Sequence, residues 1–386
     1  MKVTLSLTHR CNLACRYCYA GQVSKRDMTL VTAQKMADFA AANALPGKTI
    51  DLCFFGGEPF LCFDLIRQIT GYVRELESRT GKFFHLSVTT NGTLLTQPML
   101  DFVRQEGISL CISIDGPRHV HDLNRRYRDG HGGHTEVLKN LRKALGQLDY
   151  VQVNAVYGPD TIDSLPDSVS FFTQLGVSAI HLNPNICASW TEVTYPKMAQ
   201  TYMQIGEHYI GSYERGQEIA INLIDSKMLL LLQGGYRAED MCGMAETEWG
   251  VAPSGNVYPC ERFIGEDNDS WLCLGNIHTS LDETRRCAVL SKRGNRNQEC
   301  AACHLREYCM NWCGCTNYSM TGHTDLAGPA LCASERAAIQ TAKHVFTTLA
   351  ELDNEVFISH LMRYMHGGAI ANSVQERKGA TLWRKS

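Results

Sequence analysis

Apolar residues recur along the first half of the chain in two alternating rhythms. Short runs with strand character lie at 3–7 (Val3, Leu5 and Leu7), 49–55, 84–89, 110–114, 151–156 and 179–182. Between them, apolar residues fall at helical spacing, first behind a capping Thr29 and then over 61–76, 98–105, 135–148 and 162–175, with Gly107 and Gly176 as stops. Strand–helix units in series predict an α/β fold with a parallel sheet and helices outside it. A closed barrel of eight units needs two more strands, whereas 195–213 and 219–232 read as helices. The pattern therefore predicts a partial (β/α)6 TIM-like barrel over 1–185 and a helical bridge over 186–240. Trp190, Tyr195, Tyr202 and Tyr209 of the bridge read as core. Further on, 249–252 and 257–258 flank Ser254-Gly255-Asn256 as a β-hairpin. Helices are expected at 334–352 and 356–365, and a mobile polar tail from Gly367 carries Arg377, Lys378, Arg384 and Lys385.

Composition narrows the class. At 386 residues, 44% hydrophobic and 20% charged, the chain is ordinary for a globular protein, and a net charge of −3 gives no signal for nucleic acid. No apolar run is long enough to span a membrane, and no secretory signal opens the chain. Seventeen cysteines without an export signal speak for metal sites in a reducing cytoplasm rather than for a disulfide framework. Cys53, Cys62 and Cys111, in or beside apolar segments, are expected to be buried small hydrophobes, and Cys187 is isolated.

Functional residues of such a barrel belong at the C-terminal ends of strands. After the first strand comes Cys11-x3-Cys15-x2-Cys18. Three thiolates on one loop can hold three irons of a cubane and leave the fourth open to an exogenous ligand. A zinc knuckle with a borrowed fourth ligand is the alternative. After the second strand comes Gly56-Gly57-Glu58-Pro59, where two glycines let the backbone approach a ligand and Glu58 can accept from an ammonium group. Thr89-Thr90-Asn91-Gly92 follows the third strand, and Ser113-Ile114-Asp115-Gly116-Pro117 follows the fourth. Each alone reads as a turn, but together at consecutive strand ends they offer hydroxyl, amide and carboxylate groups for hydrogen bonding to a ligand. His121, Asp122 and Arg125 follow in what reads either as a functional or as a solvated loop.

The cysteine loop, with Asn12 after the first cysteine and Tyr17 before the third, resembles the signature of the radical S-adenosylmethionine (SAM) enzymes. The resemblance implies a partial barrel and a [4Fe–4S] cluster on Cys11, Cys15 and Cys18 that binds SAM. It also implies SAM contacts at Tyr17, Gly56, Gly57, Glu58, Pro59, Asn91, Ser113 and Asp115. Reduced SAM is then expected to yield a 5′-deoxyadenosyl radical that abstracts a hydrogen atom.

A second cysteine group runs Cys242-x12-Gly255-x4-Cys260, then Cys300-x2-Cys303-x5-Cys309-x3-Cys313, then Cys332. This spacing resembles the SPASM extension of radical SAM enzymes, here 241–340, with 341–386 as C-terminal helices and tail. The resemblance implies two auxiliary [4Fe–4S] clusters: a distal one on Cys300, Cys303, Cys309 and Cys332, and a nearer one on Cys242, Cys260 and Cys313. Sulfatase-maturing members carry a further cysteine where this chain has Glu248, so the nearer cluster is left with an open iron, a carboxylate, or Cys273 or Cys315. An open iron could bind a substrate thiolate. Zinc can take the same thiolates, so spacing alone leaves it open. Glu261, directly after Cys260, stands where those relatives carry a catalytic Asp base; a surface carboxylate is the plain alternative. Phe55, in place of the Gln those relatives carry before Gly-Gly-Glu-Pro, favours a peptide-modifying cousin.

The expectation is a maturase that oxidises a side chain of a peptide or protein, forming a thioether, a C–C crosslink or formylglycine. It would draw electrons from a reductant such as ferredoxin or flavodoxin. With Cys11 so near the first residue no leader-binding domain is expected ahead of the barrel, so a separate leader-binding partner would serve a precursor peptide. Dehydrogenation of a small molecule and a zinc-stabilised binding protein are the alternatives.

Overall fold

Strand residues alternate between a dry and a wet side, and this alternation shapes the molecule. The computed structural model describes residues 1–20 and 25–367; the tail with Arg377, Lys378, Arg384 and Lys385 lies outside the described residues. The elements run β1 (Lys2–Ser6), α1 (Leu30–Asn43), β2 (Ile50–Phe55), α2 (Phe63–Thr80), β3 (Phe84–Thr90), α3 (Gln97–Glu106), β4 (Ser109–Ser113), α4 (Arg118–Asn124), α5 (His134–Leu145), β5 (Val151–Tyr157), α6 (Leu165–Gln174) and β6 (Ala179–Pro184). They continue with α7 (Tyr195–Glu214), β7 (Ala220–Ile221), α8 (Asn222–Gln233), β8 (Glu248–Val251), β9 (Val257–Tyr258), α9 (Glu283–Leu290), α10 (Gln298–Ala301), α11 (Gly314–Thr321), α12 (Pro329–Glu351) and α13 (Glu355–Gly367). Thr29 caps α1 by accepting from the Thr32 amide, and Gly107 closes α3 in a left-handed conformation, both as their types suggest.

The sheet order is β7-β6-β5-β4-β3-β2-β1-β8-β9, parallel except for the β8–β9 hairpin. The expected partial parallel barrel is present, and it is extended at both edges. A two-residue strand, β7, opens the segment read as purely helical. On the other side β8 pairs with β1, Lys2 opposite Glu248 and Val3 opposite Trp249, so the hairpin continues the barrel sheet.

One face of β1–β6 carries Val3, Leu5, Leu52, Phe54, Leu86, Val88, Leu110, Ile112, Val153 and Leu182, all buried against the helices. The other face carries Asp51, Cys53, His85, Ser87, Thr89, Cys111, Gln152, Asn154, His181 and Asn183, all half-buried. The inner face of this barrel is therefore a polar lumen, unlike the packed interior of a closed barrel. Cys53 and Cys111 lie on that face, which corrects their reading as buried hydrophobes: they sit on the alternate strand positions that line the lumen. Cys62 is buried as expected.

The aromatic bridge is core: Tyr202, Tyr209 and Tyr213 of α7 are almost fully buried. Gly206 lets α12 come close, since a Cβ there would stand 2.8 Å from Cγ2 of Thr341. Lys227 of α8 and Glu335 of α12 form a buried ion pair at 2.7 Å, tying the bridge to the helix that carries Cys332. Residues 118–124, read as loop, form α4.

Candidate active site

The cysteine loop leaves β1 and is strapped from both sides. On one side the Gly57 amide donates to the Thr8 carbonyl at 2.7 Å and the Glu58 amide to the Arg10 carbonyl at 2.9 Å. On the other the Ala14 and Arg16 amides donate to the carbonyls of Arg126 and Asn124. Cys11 is half-buried, and its sulfur accepts from the Leu13 amide at 3.4 Å and from Asn91 Nδ2 at 3.7 Å. Cys15 is half-buried and Cys18 exposed. Burial pushes the Cys11 thiol up to about 12 and raises that of Cys15, so ionising them calls for a cation at the loop.

The Gly-Gly-Glu-Pro segment braces this loop. A Cβ on Gly57 would stand 2.2 Å from the Arg10 carbonyl oxygen, and one on Gly56, whose φ is +128°, 2.5 Å from that of Thr8. These glycines admit the close approach of the loop backbone. Glu58 is fully buried and accepts from the Phe60 amide at 3.0 Å, Thr90 Oγ1 at 2.8 Å and the Asn91 amide at 2.8 Å. Pro59 opens the one-turn helix that Glu58 caps. The carboxylate is thus committed to protein donors and fixes the end of β3. Burial pushes its pKa up to about 7, against the pull of those three donors. Asn91, held there, donates to Asn12 Oδ1 at 2.9 Å, and Asn12 donates to Thr93 Oγ1 at 2.8 Å.

At the end of β4, Asp115 is buried and organises a second group. Its Oδ1 accepts from Arg125 Nε and the Val156 amide, both at 3.0 Å, and its Oδ2 from the Tyr17 hydroxyl. The Arg125 guanidinium lies 5.3 Å from the Tyr17 ring centroid, so Tyr17 is held by both partners. Ser113 is buried beside them. His121 and Arg125 are buried and Asp122 accepts from the His134 amide, which sets aside the solvated-loop alternative for this segment. Burial and the nearby Arg125 charge hold His121 well below the usual imidazole range.

The second cysteine group forms two sites. One cavity is lined by Cys300, Cys303, Cys309 and Cys332, with Leu305, Leu331 and Ile339 among its walls. The other gathers Cys260, Cys313 and Cys315 into one buried cluster, with 3.6 Å between the sulfurs of Cys313 and Cys315. Cys242 donates to Glu248 Oε2 at 3.4 Å, and the electrostatics of its thiol register Cys313. Cys273 packs instead with Ala252, Tyr258 and Ile264.

Glu261 is not a plain surface carboxylate. The backbone at Cys260 and Glu261 covers Gly250 of β8, where a Cβ would meet it at 2.7 Å, and Gly250 pairs with Thr4 of β1. Oxygens of Glu261 and Glu248 and the Cys260 sulfur lie within 4.8 Å of one another. Burial raises the Glu261 pKa, but the Lys2 charge and the Cys260 thiol outweigh it and the net shift is downward. It is a charged group at neutral pH and a weak proton acceptor. Lys2, which donates to Glu248 Oε1 at 2.7 Å, was overlooked by sequence reasoning, although it alternates with Thr4 and Ser6 on the polar face of β1. Arg262 was also missed; it sits over the Tyr19 ring.

Residues 5–172 match the family model described as Radical SAM superfamily. The chain carries a radical SAM domain. An uncharacterized protein of Methanocaldococcus jannaschii is 29% identical over 176 residues, which cover 46% of this chain and 59% of that protein's length. A cysteine-type anaerobic sulfatase-maturating enzyme of Clostridium novyi is 22% identical over 66% of this chain and 71% of its own. A PqqA peptide cyclase of Bradyrhizobium diazoefficiens is 24% identical over 86% of this chain and 85% of its own. In fold, the chain is similar to anSMEcpe with bound AdoMet: TM-score 0.76, 18% identity, 91% of this chain and 99% of that one. It is also similar to Streptococcus suis SuiB bound to precursor peptide SuiA: TM-score 0.58, 15% identity, 86% and 75% covered. The radical SAM domain implies a [4Fe–4S] cluster and SAM. Among the described residues no helix is long and apolar enough to cross a membrane.

Proposed function

We propose that this radical SAM enzyme oxidatively modifies a side chain of a peptide or protein, forming a thioether, a C–C crosslink or formylglycine. The observation that carries the reading is the pairing of β8 with β1. It sets the start of the second cysteine group beside the strand that leads into the cysteine loop, as an enzyme needs if a substrate radical is to be oxidised by giving up an electron. Similarity to enzymes named for peptide and sulfatase maturation supports the substrate class.

The residues fit the groups this reading requires. Cys11, Cys15 and Cys18 share one loop, braced by Gly56, Gly57, Glu58 and Asn91, and would hold three irons of the first cluster. When bound and reduced, the cluster with SAM supplies a 5′-deoxyadenosyl radical that abstracts a hydrogen atom from substrate. Asn91, Ser113, Asp115 and Tyr17 would position SAM in the polar lumen, with Arg125 holding Asp115 in place through their 3.0 Å ion pair. Cys300, Cys303, Cys309 and Cys332 would hold a distal auxiliary cluster and Cys242, Cys260 and Cys313 a nearer one. Glu261, charged and beside Lys2, suits orienting a substrate or taking its proton late, once a stronger acid has formed. In this scheme 1–185 is the catalytic barrel, 186–240 the bridge, 241–340 the auxiliary domain and 341–386 the C-terminal helices and tail. A ferredoxin or flavodoxin would supply electrons, and a separate protein would present a leader peptide.

The test uses anaerobically reconstituted protein: iron and sulfide content, then deoxyadenosine formation with dithionite and SAM, then its acceleration by candidate peptides. Roughly twelve irons per chain with matching sulfide is expected for three cubanes, with peptide-dependent turnover. Zinc without sulfide and no SAM cleavage would overturn the reading. Acceleration by a small alcohol but by no peptide would assign the enzyme to small-molecule dehydrogenation.

A further inference from the structure

The sulfatase-maturing pattern asks for a cysteine six positions after Cys242, and this chain has Glu248 there. Three residues compete to complete the nearer site: Glu248, Cys273 and Cys315. Cys273 is removed by position. Its sulfur faces the Gly275 carbonyl at 3.5 Å, within a different packing group from Cys260 and Cys313.

Glu248 is close but engaged. It opens β8 in register with Lys2, and its Oε1 receives the Lys2 ammonium at 2.7 Å. Its Oε2 takes the Cys242 thiol at 3.4 Å, so both oxygens are engaged and an iron could reach this carboxylate only by displacing one of these partners.

Cys315 meets the requirements of a ligand. It is 6% exposed, packs with Cys260 and Cys313, and its sulfur is 3.6 Å from that of Cys313. Cys313 is the N-cap of α11 and Cys315 lies in its first turn, where unpaired backbone amides favour negative sulfur. The half-buried Arg262 lies near both Cys260 and Cys315 and would offset their charge. Side chains two positions apart at a helix start can separate by a χ1 change to reach different corners of one cluster. Thiolate is also the ligand type that iron–sulfur clusters select.

We propose that Cys315 is the fourth thiolate of the nearer auxiliary site, completing Cys242, Cys260 and Cys313 and leaving no open iron there. This rests on the auxiliary-cluster reading above and sharpens it. A closed cluster passes electrons but does not bind a substrate thiolate, so the substrate is held by the lumen and not by iron.

The experiment uses the full chain with Cys11, Cys15 and Cys18 all replaced by Ala, so that only auxiliary sites can load. Iron and sulfide are counted after anaerobic reconstitution, and the EPR of the dithionite-reduced protein is recorded with and without β-mercaptoethanol. The parent is expected to hold roughly eight irons and to show a signal indifferent to added thiol. Cys315→Ala should fall to roughly four irons, or keep the iron with a signal that now shifts on adding thiol. Cys315→Ser, which keeps the side chain's shape, guards against misfolding and should also lose iron or change its signal. Glu248→Gln should match the parent. The proposal is overturned if Cys315→Ser retains the parental iron and signal, if Glu248→Gln loses the cluster, or if the parent signal itself responds to thiol. A parent that holds zinc and no sulfide would instead sink the auxiliary-cluster reading as a whole.

Discussion

The Arg262 guanidinium lies 5.3 Å from the centroid of the Tyr19 ring. Tyr19 follows the last cysteine of the first loop and Arg262 stands two residues after Cys260, so this contact joins the two cysteine-bearing regions directly. Burial opposes the Arg262 charge, but Tyr19, Cys315, Glu261 and Cys260 outweigh it and the guanidinium is held firmly protonated.

Removing that charge should be visible in the redox chemistry. Arg262→Met takes a half-buried cation from beside Cys260 and Cys315, and the potential of the iron–sulfur cluster proposed there should fall by several tens of mV. An EPR-monitored titration measures this. An unchanged potential would show that Arg262 does not sense the cluster.

Gly57→Ala should damage the cysteine loop while sparing the barrel. The added methyl would stand 2.2 Å from the Arg10 carbonyl, a backbone atom that cannot turn away. A loss of about 2 kcal/mol is expected, with weaker SAM binding by calorimetry and far-UV circular dichroism unchanged. Wild-type SAM affinity in the variant would refute the bracing role.

Glu58 carries a pH signature. Its pKa is raised from 4.5 to about 7, chiefly by burial, so the folded state disfavours its ionised form. The wild type should therefore lose stability relative to Glu58→Gln as pH rises from about 4.5 to about 7, by at most about 3 kcal/mol, and run parallel to it above that range. Urea melts of both proteins across this range test it. Parallel curves throughout would mean that the three donors hold the carboxylate ionised.

His360 of α13 makes the reverse demand on its surroundings. Its Nε2 is 2.6 Å from Asp225 and its Nδ1 3.1 Å from Glu218. Burial lowers its pKa, but the two carboxylates outweigh it and bring it to about 9. A pKa raised from 6.5 gives stability that is full below 6.5 and lost as pH climbs through 9, worth about 2–3 kcal/mol. Amide exchange of α13 should quicken over that interval, and His360→Gln should remove the dependence.

Strand and helix order was legible because period-two and helical spacing are local properties, and the radical SAM loop because its spacing is compact. What escaped depends on contacts distant in sequence. Nothing near Lys2 announces that Glu248 will be its strand partner. Cys53 and Cys111 were misread because flanking apolar residues hid the polar series that includes Ser87 and Thr89 on the same face. That Gly56, Gly57 and Glu58 brace the protein's own loop could not be read from the sequence, because the backbone that approaches them is distant along the chain. Cys315 was visible as a candidate, but only packing distinguishes it from Cys273.

The pairing of β1 with β8 also bears on how the chain folds. Lys2 finds Glu248 only after a loop of well over two hundred residues has closed, a slow kind of contact to form. Until 248–251 arrives, β1 is a sheet edge with unpaired amides and carbonyls, open to pairing with another chain. A fragment ending near residue 240 would retain the complete first cysteine loop and still be prone to aggregate. In this molecule the cysteine-rich module acts as the barrel's edge protection, and deleting it would be read first as insolubility.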